Sequence, residues 1–163
     1  MATVELHREV AMNQINIKRL LLAGVVVFVS WIVIEVALEQ ILATLVFGQS
    51  TSEMWMQAVE VNELSGLRVG INLLVGLLNC IVMIWIYASL RPMYGVGTKT
   101  ALITAAFGVV WILSIFVNIT NLGLLPPRLA LIEGTFEAIE VPLAMLIGAL
   151  IYEGRNEPAP ATG

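Results

Sequence analysis

The chain has a single cysteine and a single histidine among 163 residues, and only 12% of its residues are charged. Each scarcity closes a class of chemistry. Cys80 alone provides neither a disulfide framework nor a CxxC redox pair. His7 lies outside the long apolar stretches, so nothing within them offers a haem ligand set. The Glu-x-x-His pairs of a carboxylate di-metal bundle cannot be assembled either, and we expect no cofactor. A net charge of −4 without a basic cluster argues against a nucleic-acid partner. Gly95 and Gly97 invite a phosphate-loop reading, but no strand pattern precedes them and the Gly-x4-Gly-Lys-Ser/Thr spacing is missing.

What is present is hydrophobic length. Hydrophobic residues make up 59% of the chain, and about 20 in a row suffice to cross a bilayer core of roughly 30 Å. Four such runs occur, at 20–47, 68–90, 100–122 and 129–152. They predict an all-α integral membrane four-helix bundle, a single membrane domain with the lipid bilayer as its solvent. The first run is too long for a secretory signal and lacks a cleavage site, so we read it as an uncleaved span. Around the spans lie an amphipathic head over 1–17, a loop over 48–67, two tight connections and a flexible tail over 153–163. Pro92 is expected to end the second span. In the loop, Ser50 and Glu53 have capping-box spacing and Met54, Trp55 and Ala58 follow at helical intervals, which predicts a short helix on the outer membrane surface with Trp55 in the headgroup layer. A plain lid over the bundle is the simplest role for that helix.

Basic residues set the orientation. Arg8, Lys18, Arg19, Arg91, Lys99 and Arg155 fall on one side, against Arg68 and Arg128 on the other. By the positive-inside rule both termini are expected in the cytoplasm, an N-in/C-in arrangement.

The informative residues are the carboxylates inside the spans, because a charge at the bilayer centre costs about 2.5–3.5 kcal/mol even on lenient scales. Glu35 and Glu39 are four apart on the first span; Glu133, Glu137 and Glu140 are spaced four and three apart on the fourth. At about 100° per residue each set forms one stripe. The fourth span's eleven Leu, Ile, Val and Phe residues return about 0.3–0.6 kcal/mol apiece, comparable to what its glutamates cost. Its acidic face is therefore expected to turn into the bundle or toward water. Asn72 and Asn79 on the second span, and Ser114, Asn118 and Asn121 on the third, continue the pattern with neutral groups. Interhelical hydrogen bonding is the ordinary use of such groups.

At about 1.5 Å per residue, Glu35, Asn79 and Glu140 fall near the midplane and the other polar residues in the outer half. Below them come Phe28, Trp31, Met83, Phe107, Trp111, Ala144 and Gly148. The expectation is an acid-lined vestibule open to the outside and a packed inner half. Its candidate ligand-binding residues are Glu35, Glu39, Asn79, Asn118, Glu133, Glu137 and Glu140. Pro142 takes a backbone hydrogen bond from the Ala138 carbonyl, leaving an acceptor beside the acids. Gly66-x3-Gly70 and Ala144-x3-Gly148 have the small-x3-small spacing that lets helices approach, within the chain or in a homo-oligomer.

Three functions fit these residues. The first is a binding or transport-related protein whose acids hold a cation or a small cationic molecule; a bound metal would be a hard ion. The second is a structural or assembly subunit whose acids pair with a membrane-protein partner. The third, an intramembrane enzyme with Glu35 and Glu140 as acid and base, lacks an identifiable nucleophile or oxyanion donor, so the balance leans away from catalysis.

The stretch Tyr87-x3-Arg91-Pro92-x2-Gly95-x-Gly97-x-Lys99-Thr100-Ala101, with Glu140-x-Pro142-Leu143-Ala144 and Tyr152, resembles small four-span bacterial inner-membrane proteins of uncharacterised activity. The resemblance covers most of the chain and implies a bacterial inner-membrane location. It brings no activity and no catalytic residue with it.

Overall fold

A computed structural model describes residues 15–41, 48, 50–58 and 66–154, and within them the regular structure is entirely helical. Helix α1 spans Ile17–Leu38, α2 Thr51–Ala58, α3 Gly66–Tyr94, α4 Thr98–Asn121 and α5 Pro127–Glu153. Four of them, α1 with its continuation to Ile41, α3, α4 and α5, are long and apolar enough to cross a membrane. An apolar chain of this kind has little choice, since a helix satisfies every backbone polar group within the segment. The expected interfacial head up to residue 14, the far end of the first span over 42–47, the loop over 59–65 and the tail from 155 lie outside the described residues.

The connections explain where the helices stop. Pro92 does not end α3, which runs on to Tyr94. The hydrogen bond that proline forfeits would have gone to Ala88, only a turn from the end, so the helix tolerates it. Termination falls instead to Gly95, the residue after Tyr94, at φ 86°, a region that residues with a Cβ avoid. At the end of α4 the Leu124 N–H donates to the Ile119 carbonyl at 3.0 Å around Gly123 at φ 72°, a Schellman closure. Pro126 and Pro127 then start α5, where a missing N–H costs nothing.

The four long helices form an up-down-up-down ring. Helix α5 packs most extensively, against α1 and α4; α1 also packs on α3, and the α3–α4 seam is the loosest of the four. The short α2 rests on α5. Asn16 and Arg19, at the start of α1, bond to Tyr152 and Glu153 at the end of α5, so both ends of the described chain share one end of the bundle with the α3–α4 turn. The tightest packing is in the half nearest that end, among Leu20, Ala23 and Val27 of α1, Ile84 and Tyr87 of α3, Ala101 and Ala105 of α4, and Ala144, Met145 and Ala149 of α5. Close helix approach there depends on glycine: a Cβ on Gly24 would meet Ile81 at 2.6 Å. The two small-x3-small spacings part company. Ala144 and Gly148 are buried inside the chain, whereas Gly66 and Gly70 have no atom within 4 Å of an added Cβ.

Candidate functional site

Because α1 and α5 pack antiparallel along their length, their acidic stripes meet. Glu140 is only 2% exposed, and its Oε2 is buried with no hydrogen-bond partner, as is Oε2 of Glu137. The charged groups acting on Glu140 are Glu137, Glu35 and Glu133; those acting on Glu137 are Glu35 and Glu133. No basic side chain is among them. Glu39 completes the stripe on α1 and acts on both Glu35 and Glu133. The Trp31 indole lies beside Glu137, yet its N–H closes no hydrogen bond. Among the described residues no three histidine, cysteine or acidic side chains are gathered closely enough to hold a metal ion.

Helix α2 rests on α5 and reaches this cluster at Glu133. Its capping box forms as the spacing predicts: the Ser50 N–H donates to Glu53 Oε2 and the Glu53 N–H to Ser50 Oγ, both at 3.2 Å. Trp55 does more than float in a headgroup layer, because its indole N–H donates to Glu133 Oε1 at 2.8 Å. A donor on a surface helix finds a carboxylate on α5 a better acceptor than water, since bonds to charged groups are worth about 1.5–3 kcal/mol. Trp55→Phe removes that bond and little else. Amide exchange over Thr51–Ala58 is expected to speed up; exchange identical to wild type would show that α2 is held by other contacts.

The neutral residues on the middle two spans, Asn79 apart, do not join the acids as expected. Ser114 and Asn118 are exposed and bond back to their own helix, Ser114 Oγ to the Val110 carbonyl at 2.7 Å and Asn118 Nδ2 to the Ser114 carbonyl at 2.8 Å. A short polar side chain on a helix always has the i−4 carbonyl within reach, and here that local acceptor wins over an interhelical one. Asn72 and Asn121 are also exposed, and Asn79 is exposed at the rim of a cavity. Two stripes converge, not four.

That cavity qualifies a second expectation. The half below the acids is packed as expected around α1 and α5, but at the α3–α4 seam it holds a space of about 650 Å³, walled by Trp31, Met83, Phe107, Trp111, Val141 and Met145. Its polar groups include Asn79, Cys80, the Trp31 indole N–H and Glu137, Glu137 alone a carboxylate. The space follows from the loose α3–α4 seam, where glycines stand on both walls: Gly76 on α3 and Gly108 on α4. Met83 reaches across, to within 2.6 Å of where a Gly108 Cβ would stand. Periodicity identifies these positions as apolar but says nothing of whether they fill the volume between them.

At the opposite end of the bundle lies a second polar cluster. Glu153, expected to open a flexible tail, is instead the last residue of α5. Its carboxylate pairs with Arg91, Nε at 2.8 Å from Oε1 and Nη2 at 3.0 Å from Oε2. The Tyr87 hydroxyl donates to Glu153 Oε1 at 2.8 Å and accepts the Gly97 N–H at 3.0 Å. Arg91 lies over the Tyr152 ring at 5.2 Å, and Arg19 Nη1 donates to the Glu153 carbonyl at 2.8 Å. One carboxylate thus ties α5 to the end of α3, whose Tyr87 holds the α3–α4 turn. The available signal was the four-residue step from Tyr87 to Arg91, which puts both on one face. Comparison of the chain with protein families, with curated proteins and with solved structures finds no match.

Proposed function

We propose that this chain is a multi-pass protein of a bacterial inner membrane whose converging carboxylates, Glu35, Glu137 and Glu140, bind a cation or a small cationic molecule. The observation that carries the proposal is the pair of buried carboxylate oxygens on Glu137 and Glu140 that have no hydrogen-bond partner, in a cluster where every charged group acting on them is another carboxylate and the Trp31 indole is a neutral polar neighbour of Glu137. Acids in a membrane helix are costly to keep and mark binding or conduction sites, and a cation is the missing complement. The Arg19, Arg91 and Lys99 end of the bundle is assigned to the cytoplasm by the positive-inside rule, with α2 and Trp55 outside. An assembly subunit using these acids to dock a partner would have to present them outward. Glu140, at 2% exposed, is unsuited to that.

The test is cation binding to the purified chain in lipid nanodiscs, with methylammonium and larger organic cations as probes. Glu137→Gln and Glu140→Gln keep shape and size but cannot carry charge. Each is expected to weaken binding at least about tenfold, equivalent to about 1.4 kcal/mol, with helix content unchanged by circular dichroism. Binding indifferent to both substitutions removes the carboxylates from the function.

A further inference from the structure

Granting the cation reading of the carboxylates, on which this step rests, we infer that the ligand is an amphiphilic organic cation, its charge held at Glu137 and its apolar body in the α3–α4 cavity. Three features of that space point the same way. A volume of about 650 Å³ lies within the range of small-molecule pockets, roughly 300–1,000 Å³, which are mainly apolar with a few placed polar groups. Its polar side chains include Asn79, the Cys80 thiol and the Trp31 indole N–H, all neutral, and Glu137, the one carboxylate, whose Oε2 is buried and unpartnered. Its walls include Trp31, Phe107 and Trp111, whose ring faces attract a desolvated cation. Glu140, 2% exposed, carries a second buried carboxylate oxygen without a partner.

The mouth of the cavity selects further. Val82, Phe107 and Trp111, at 50%, 60% and 70% exposed, stand on the α3–α4 side in the middle of spans long enough to cross a membrane. In a bilayer that opening faces acyl chains. A strongly hydrated cation has no favourable route through such a mouth, whereas an amphiphilic one already partitions into the membrane and enters sideways. A neutral lipid tail would fill the volume but leave the Glu137 oxygen without a partner, at the cost of a buried unsatisfied charge or dipole.

Tetraphenylphosphonium is the probe, with neutral triphenylmethane and hydrophilic methylammonium for contrast, measured by equilibrium dialysis on the full chain in nanodiscs. Tetraphenylphosphonium is expected to bind more tightly than either, and to weaken about tenfold in Glu137→Gln and again in Val82→Trp, which fills the mouth from a half-exposed position. Trp111→Ala, which removes an aromatic wall at an exposed site, serves if Val82→Trp misfolds and is expected to act in the same direction. Methylammonium binding that depends on Glu137, without tetraphenylphosphonium binding or with tetraphenylphosphonium indifferent to both wall variants, overturns the amphiphile inference and leaves the carboxylate site standing. Triphenylmethane binding as tightly as the cation also overturns it, marking a lipid pocket. If no cation depends on Glu137, both fail together.

Discussion

Glu153→Ala is expected to destabilise the folded chain by about 3 kcal/mol, the lower end of what removing one member of a buried ion pair costs. The choice of the lower end follows from the pair's partial shielding, with side-chain exposures of 15% for Arg91 and 20% for Glu153. The substitution strands two groups at once. Arg91 loses both contacts to the carboxylate, and the Tyr87 hydroxyl, on a side chain that is fully buried, loses its acceptor. The Arg19 contact survives because it goes to the Glu153 backbone carbonyl. Thermal unfolding in detergent reads the effect, and a double-mutant cycle with Arg91→Met isolates the pair from the packing around it. The double variant is expected to recover part of the loss, since two apolar side chains leave no stranded charge. An alanine variant that melts with wild type would demote the cluster to a surface contact.

Gly148→Leu is expected to be at least as damaging, because it drives a wedge into the interface that carries most of the packing. The first added atom, Cβ, would overlap Val27 Cγ2 and come within 2.8 Å of Ile84 Cδ1. Both neighbours are themselves in the core, Val27 at 4% exposed and Ile84 wholly buried. Overpacking a core by a methylene or two costs about 1–3 kcal/mol; with α1 and α3 both displaced, the loss is expected at the top of that range or beyond. Val27→Ala removes the overlapping atom and is the expected suppressor. Gly70→Leu, in the other small-x3-small spacing, meets nothing within 4 Å and is expected to melt like wild type. Equal damage at Gly148 and Gly70 would mean that the interface lies elsewhere.

Those two glycine spacings show how far residue patterns reach. Gly66-x3-Gly70 and Ala144-x3-Gly148 are the same motif on paper, yet only the second faces a neighbouring helix. The acids divide in the same way. That Glu35 and Glu39 share a face, and Glu133, Glu137 and Glu140 another, follows from helical geometry alone. That the two faces meet follows from α1 packing on α5, a pairing of the first span with the last that no local spacing specifies. Asn118 carries the opposite lesson, since its place in a polar stripe was legible but its bond to the Ser114 carbonyl depends on which neighbours fail to arrive. Glu153 and Arg91 are far apart along the chain and close only once α3 and α5 run parallel.

By itself the amino-acid sequence determined the four long apolar helices, the capping box at Ser50 and Glu53, and the clustering of acids on one face of the first and fourth spans. All of these arise from interactions within a few residues, or from the demand that an apolar segment satisfy its own backbone. Only the tertiary structure decided which stripes converge, that Trp55 reaches Glu133, and that Glu153 holds α5 to α3. It also decided that the half beneath the acids, packed at its core, leaves a cavity at the α3–α4 seam. These depend on which helices are neighbours and how closely they approach, and the small residues that govern approach act only through the partner they happen to face.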